Sequence, residues 1–274
     1  MIKLIAIDLD GTLLKDDKTI SEKNIKTLQA AKQQGVKVVL CTGRPLNSVL
    51  PHLETLGLVE EGDFAVTFNG GLIQRNDTGE ILSKVLLTKA DIENIYQLSQ
   101  ELVFPLDVVS GPKVLKIQPQ PTSNPSWYHK LNPLLNFVDV ELSELPNDTE
   151  FNKAVCAISE EKIDELLPKV PAEYHEQYSI VRSGKAIFEF MPKGVSKADG
   201  LRRLGDLLGI QPEEMMALGD EENDQAMIRF VGLGVVMENG TAELKKDAQY
   251  ITATNEEDGV ALAVEKFVLA DKEA

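Results

Sequence analysis

Cysteine is almost absent: Cys41 and Cys156 are the only two in 274 residues. Thiols so far apart in sequence build neither a disulfide framework nor a zinc cluster, and they suit a reducing cytoplasm. The three histidines, His52, His129 and His175, are scattered, and none stands beside a nucleophile. Basic residues are outnumbered, 28 against 44 acidic, for a net charge of −16. Such a chain repels nucleic-acid backbones and anionic membrane surfaces, so neither is expected as a partner. No apolar run approaches the roughly 20 residues that a membrane helix needs. The short apolar stretch 2–7 is closed by Asp8 and Asp10, and it reads as a strand instead of a signal peptide. Internal repeats, low-complexity tracts and long linkers are also missing, and 271–274 reads as a frayed tail.

What is present is 43% apolar residues, enough to bury a substantial core in one large domain or two ordinary ones. Residues 1–70 alternate strand and helix patterns. They give a strand at 3–7, a helix at 21–34, a strand at 36–40, a helix opening at Pro45 and a strand at 64–68. Asn69-Gly70-Gly71 follows, then a hairpin turning at 76–79. From about 84 to 190 the character changes, with helices near 90–101 and 161–169, a proline-rich loop at 119–125 and a closing hairpin that turns at Ser183-Gly184. This stretch reads as an inserted domain, and Trp127, Tyr128 and His129 within it read as packing residues. Alternation resumes with a helix at 195–208 and a strand at 215–218, and segments at 226–230, 233–236, 250–252 and 258–269 complete the first domain.

Four short motifs fall where a strand ends and a loop begins, the edge at which open α/β sheets bind ligands. The first is Asp8-Leu9-Asp10-Gly11-Thr12. Its two carboxylates, two residues apart, can share one side of an extended chain, where their repulsion calls for a divalent cation. The second is Thr42-Gly43-Arg44, a hydroxyl and free backbone N–H groups able to hold an anion. Cys41 before it suggests a cysteine phosphatase, but Arg44 is too close to close the phosphate-cradling loop such an enzyme needs. The third is Lys197, near the start of a helix. A chain this acidic repels phosphate unless a few cations make a local island of positive potential, and Lys197 stands where one is needed. The fourth is Gly219-Asp220-Glu221-Glu222-Asn223-Asp224, with four acids in five residues as further oxygen ligands for a cation.

In this order and context the motifs, with Asn69-Gly70-Gly71 and the large insert, resemble the haloacid dehalogenase-like (HAD) hydrolases, specifically the Cof-type sugar phosphatases. The resemblance covers nearly the whole chain. It implies an α/β fold: a Rossmann-like core with a parallel sheet at 1–82 and 191–274, and an inserted α/β cap of the C2 type at 83–190 that sets substrate specificity. It implies a Mg²⁺-dependent phosphatase acting on a small phosphorylated metabolite through an aspartyl-phosphate. The nucleophile maps to Asp8 and the general acid/base to Asp10. Mg²⁺ is assigned to Asp8, the backbone carbonyl of Asp10, and Asp220, with Asp224 beside or at the metal. Phosphate contacts map to the Leu9 backbone, Thr42, Gly43, Lys197 and Asn223, and Arg44 and Asn69 to the mouth of the site.

On chemical grounds Asp10 has to have a raised pKa or to draw its proton with the substrate, since an ordinary Asp is ionised at pH 7. Two other functions fit the same motifs. A sugar phosphomutase returns the phosphoryl group to a sugar instead of water, and a non-catalytic effector-binding protein can share the fold.

Overall fold

A computed structural model describes residues 1–132 and 135–270; the tail expected at 271–274 lies outside the described residues. The chain divides into two compact units, residues 1–84 with the stretch from Ser196 onward, and residues 85–195. The first unit opens with β1 (Leu4–Ile7), α1 (Glu22–Gln33), β2 (Lys37–Cys41), α2 (Leu46–Leu56), β3 (Phe64–Thr67), β4 (Leu72–Arg75) and β5 (Ile81–Lys84). The second holds α3 (Lys89–Leu102), β6 (Asp107–Ser110), β7 (Lys113–Gln118), α4 (Tyr128–Leu131), β8 (Asn136–Glu141), β9 (Lys153–Ala157), α5 (Glu160–Leu166), α6 (Ala172–Gln177), β10 (Tyr178–Gly184) and β11 (Ile187–Pro192). The first unit then resumes with α7 (Lys197–Leu208), β12 (Met215–Gly219), α8 (Gln225–Phe230), β13 (Leu233–Val236), α9 (Ala242–Lys245), β14 (Tyr250–Ile251) and α10 (Gly259–Val264).

Strand β1 is Leu-Ile-Ala-Ile, every side chain buried, a continuous apolar run of the kind that fills the centre of a parallel sheet covered on both faces. Its alternation divides the core. Ile5 and Ile7 join the cluster lined by Leu28, Leu53 and Val264, while Leu4 and Ala6 join the one lined by Leu201, Leu204 and Ile228. The sheet runs β14-β13-β12-β1-β2-β3-β4-β5, parallel from β14 to β3 and antiparallel through the β3-β4-β5 hairpins. The chain leaves β1 toward β2 but leaves β12 toward β13. Strand order therefore reverses between β1 and β12, and the carboxyl ends of these two strands form the crevice of a doubly wound sheet.

The second unit has a six-stranded sheet, β10-β11-β9-β6-β7-β8, antiparallel except for β7 beside β8. One face packs under the helices through Ile92, Ile95, Leu98, Ile163 and the rings of Phe104, Phe188 and Phe190. Of the three residues expected to pack, Tyr128 is buried edge-on against Phe137, whereas His129, against the same ring, and Trp127 are exposed. The last hairpin differs from the sequence expectation. β10 runs through Ser183-Gly184, and the turn falls at Lys185-Ala186. A register shift between Arg182 and Gly184 takes up Ser183 as the extra residue while Gly184 still pairs with Ile187, so Ser183-Gly184 marks an irregular strand end instead of the turn itself.

On the other face of this sheet, Lys153 of β9 meets Glu189 of β11 at 2.5 Å, both side chains buried. Burial alone would lower the Lys153 pKa, but Glu189 and the Tyr128 phenol outweigh it and hold the ammonium charged. Removing one partner strands the other charge. Lys153→Met is expected to cost about 3–5 kcal/mol, and adding Glu189→Leu is expected to restore most of it. Urea unfolding followed by the fluorescence of Trp127, the lone tryptophan and part of this unit, measures both.

Candidate active site

Parallel pairing of β1 with β12 sets the geometry. The Asp8 N–H donates to Leu218 O at 3.0 Å, so Asp8 leaves the sheet beside the end of β12. Gly11 then takes φ +78° and allows the chain to curl, with Leu13 N–H on Asp8 O and Leu14 N–H on Leu9 O. Leu9, Leu13 and Leu14 turn into the core and anchor the curl, leaving the backbone of Leu9 at the sheet edge.

Lys197 opens α7, whose cap Ser196 accepts from the Asp199 N–H. Its side chain is wholly buried, and Nζ donates to Asp8 Oδ1 and, at 2.6 Å, to Asp224 Oδ1. The second oxygen of Asp224 accepts the backbone N–H groups of Asp220, at 2.9 Å, and Glu221, at 3.1 Å. Asp220 in turn accepts from Thr12 Oγ1 at 2.8 Å. One buried ammonium thus ties together three of the four motifs.

The charges do not balance. Carboxylate oxygens of Asp8, Asp220 and Asp224 lie within 4.8 Å of one another, all three residues buried, against the single Lys197. Burial raises Asp8 most; Lys197 pulls it back, and the charge of Asp224 adds to the rise. Asp220 is raised by burial and then by Asp8 and Asp224. Lys197 is the converse: burial disfavours its charge, but Asp224 and Asp8 overcome this and hold it above the ordinary lysine value. An excess of hard, buried, negatively charged oxygen is the donor set that a small divalent cation such as Mg²⁺ fits.

The second motif lies beside this group. Thr42 is buried, its N–H on Val66 O and its hydroxyl accepting from Arg44 N–H at 3.2 Å. Asn69 N–H donates to Thr42 O at 2.9 Å. A methyl built at Gly43 would sit 3.1 Å from the Asn69 amide, a tight contact that shows how closely Asn69 packs on this backbone edge. Asn223 donates to Asn69 Oδ1 at 3.2 Å, closing a polar rim from Thr42 through Asn69 to Asn223.

Two features set Asp10 apart from Asp8. First, its carboxylate does not join the Asp8 group, because the chain stops being extended after Asp8 and the two-residue alternation lapses with it. Arg44 grips it with two bonds, Nε to Oδ2 at 2.8 Å and Nη2 to Oδ1 at 2.5 Å, and Lys18 adds a third at 3.0 Å. Second, its pKa is lowered, which of the two routes expected for its proton leaves entry with the substrate. Burial pushes it up, but Arg44 and Lys18 together outweigh burial and favour the anion. Lys18 and Thr12 are the contributors that sequence reasoning missed. Thr12 stood inside the first motif, whereas nothing in the spacing of Lys18 distinguishes it from a solvated loop lysine. Cys41 is buried beside the group with its thiol pKa pushed up by burial, which fits a packing role.

Against known proteins, a family model described as haloacid dehalogenase-like hydrolase matches residues 5–264. The chain is 36% identical to YxeH of Bacillus subtilis (strain 168), whose name proposes a phosphatase, over 273 residues, 98% of this chain and all of that one. It is 34% identical over 269 residues to the 5-amino-6-(5-phospho-D-ribitylamino)uracil phosphatase YcsE of the same strain, covering 98% of this chain and 96% of that one. Among solved structures it is similar to the HAD subclass IIB sugar phosphatase BT4131, with a TM-score of 0.79, 26% identity, and coverage of 97% of this chain and 98% of that one.

If the carboxylate excess is a cation site, Mg²⁺ stabilises the folded protein by mass action, by about 2.7 kcal/mol at a hundred times its dissociation constant. Thermal unfolding with and without Mg²⁺ is expected to show a rise in Tm for the parent and little or none for Asp220→Asn.

Proposed function

Because this chain belongs to the haloacid dehalogenase-like hydrolase family, we propose that the buried group at the ends of β1 and β12 is the active centre of a Mg²⁺-dependent phosphatase using Asp8 as its nucleophile. A phosphatase acting on phosphorylated small molecules is what its relatives establish. The observation that carries the finer reading is Lys197, wholly buried and shared between Asp8 and Asp224. Such an ammonium orients Asp8, favours its anion against the burial that opposes it, and is in place to stabilise the charge of a phosphoryl group arriving at it.

Asp8, Asp220 and the backbone carbonyl of Asp10 are the groups proposed to hold Mg²⁺, with Asp224 steadying the set through Lys197 and the Asp220 N–H. When bound, the ion neutralises phosphate charge and balances the carboxylate excess. The Leu9 backbone, Thr42, Gly43 and Asn223 are proposed to take the phosphate oxygens along the polar rim. Asp8 attacks phosphorus, the ester oxygen leaves with a proton from Asp10, and Asp10 then activates the water that frees Asp8. Since Arg44 and Lys18 favour the Asp10 anion, that proton has to enter with the substrate.

For the substrate we propose a phosphate monoester on a polyhydroxylated carbon chain, a sugar or polyol phosphate. The names of two relatives support this: a sugar phosphatase, and a phosphatase of a phosphorylated ribityl group. The inserted unit, residues 85–195, contains none of the four motifs, and we assign it the choice of leaving group.

A phosphate-release screen with Mg²⁺ over sugar, polyol, nucleotide and cofactor phosphates tests the proposal. Turnover on the sugar and polyol esters is expected, and silence across the panel rejects the reading. Asp8→Asn is expected to lower kcat on the order of 10³-fold or more while the protein stays folded by circular dichroism. Asp10→Asn is expected to slow alkyl phosphates by about 10²–10⁴-fold and p-nitrophenyl phosphate far less, because the nitrophenolate needs no proton to leave. Equal losses on both substrates remove Asp10 from the acid role.

A further inference from the structure

The stretch after β3 is held in a conformation that its residues resist. Phe68, Asn69 and Gly70 follow one another at φ 52°, 53° and 99°, all in the left-handed region, and two of the three carry side chains. Phe68 and Asn69 are both buried, so solvent does not relieve the strain. Costly backbone of this kind persists only where surrounding contacts over-determine it, and it marks places where a side chain must be presented in one way.

Two features supply the over-determination. Gly70 lies so close to Ser196, the cap of the Lys197 helix, that a Cβ on Gly70 would collide with the Ser196 carbonyl; a Cβ on Gly200, one turn on, would strike Val66 and Gly70. Across this glycine contact reaches Arg203. Its guanidinium donates to Gly70 O, to Ser83 Oγ at 2.6 Å, and through Nε to Asp199 Oδ2 at 2.9 Å. Three partners, from the strained loop, β5 and the first turn of α7, use the whole planar fork as no lysine could.

What the loop presents is Asn69. Its backbone N–H holds Thr42 O, its amide packs on Gly43, and it accepts from Asn223. We propose that Arg203 is a positioning residue for phosphate binding: it clasps the strained 68–70 loop to α7, so that Asn69 holds the Thr42-Gly43 edge and Asn223 in register with Lys197. Arg203 does not touch the phosphate. The inference rests on the phosphatase reading above and adds to it a residue outside the four motifs.

The test is binding of inorganic phosphate, by calorimetry in saturating Mg²⁺, together with kcat and KM on the best ester from the screen. Arg203→Met is expected to weaken phosphate about tenfold and to raise KM by a similar factor, with Arg203→Lys in between, and Asn69→Ala is expected to do the same. If the clasp acts through Asn69, the double variant is no worse than either single one. Lys26→Met, in an exposed pair on α1, serves as the unchanged control. A folded Arg203→Met protein with a lower Tm but parental phosphate affinity and KM overturns the proposal, as does strict additivity with Asn69→Ala. Should Arg203→Met fail to fold, the same cycle is run with Arg203→Lys, and the same outcomes decide. A parent that binds no phosphate rejects the phosphatase reading and this inference with it. A parent that binds phosphate equally with its variants rejects the inference alone.

Discussion

A lysine with no exposed surface must find its counter-charges inside the protein, and Lys197 finds them on two chain segments far apart in sequence, at Asp8 and Asp224. An ammonium moved from water into a low-dielectric interior is tolerated only when paired and hydrogen-bonded, so each element that meets at it is constrained. Helix α7 must begin at Ser196, β1 must end beside β12, and the loop after β12 must turn Asp224 inward while its other oxygen caps the Asp220 and Glu221 N–H groups. The same pairing leaves the buried Asp220 carboxyl without a lysine of its own, beside Asp8 and Asp224.

Legibility in the sequence followed how far each residue depends on local pattern. Asp8 and Asp220 each follow a buried apolar strand, and Lys197 sits one residue past a serine cap, so period and capping rules locate all three. Most of the sheet was readable for the same reason, since β1, β2, β3 and β12 are short apolar runs between turn signals. The surroundings of Asp10 were not legible, because alternation ceases where the strand does and its partners come from a loop and a distant motif. Arg203 was invisible. With Asp199 four residues before it on a helix, it has the pattern of a solvent-facing ion pair, and only the fold reveals Gly70 and Ser83 on its other side.

The two units stabilise themselves by different means. The first buries apolar side chains on both faces of a largely parallel sheet. The second covers one face of its sheet with apolar helices and carries on the other a buried lysine–glutamate pair, as well as Asp107, which accepts from Gln120 of the proline-rich loop and from Ser126 at its exit. Burial raises Asp107 above the ordinary carboxylate range despite these donors. The loop is therefore pinned by specific bonds, including Trp127 N–H on Ala157 O at 2.8 Å, and not by hydrophobic contact alone.

The bond from Arg203 to Ser83 also bears on how the first unit tolerates its interruption. Ser83 is the penultimate residue before the chain departs from the first unit, and Arg203 lies in the first helix after it returns. Fastened there, the doorway of the insertion is closed by contacts belonging to the first unit. Mutations, lengthening or wholesale exchange between those two points can then accumulate without reopening the sheet that carries Asp8.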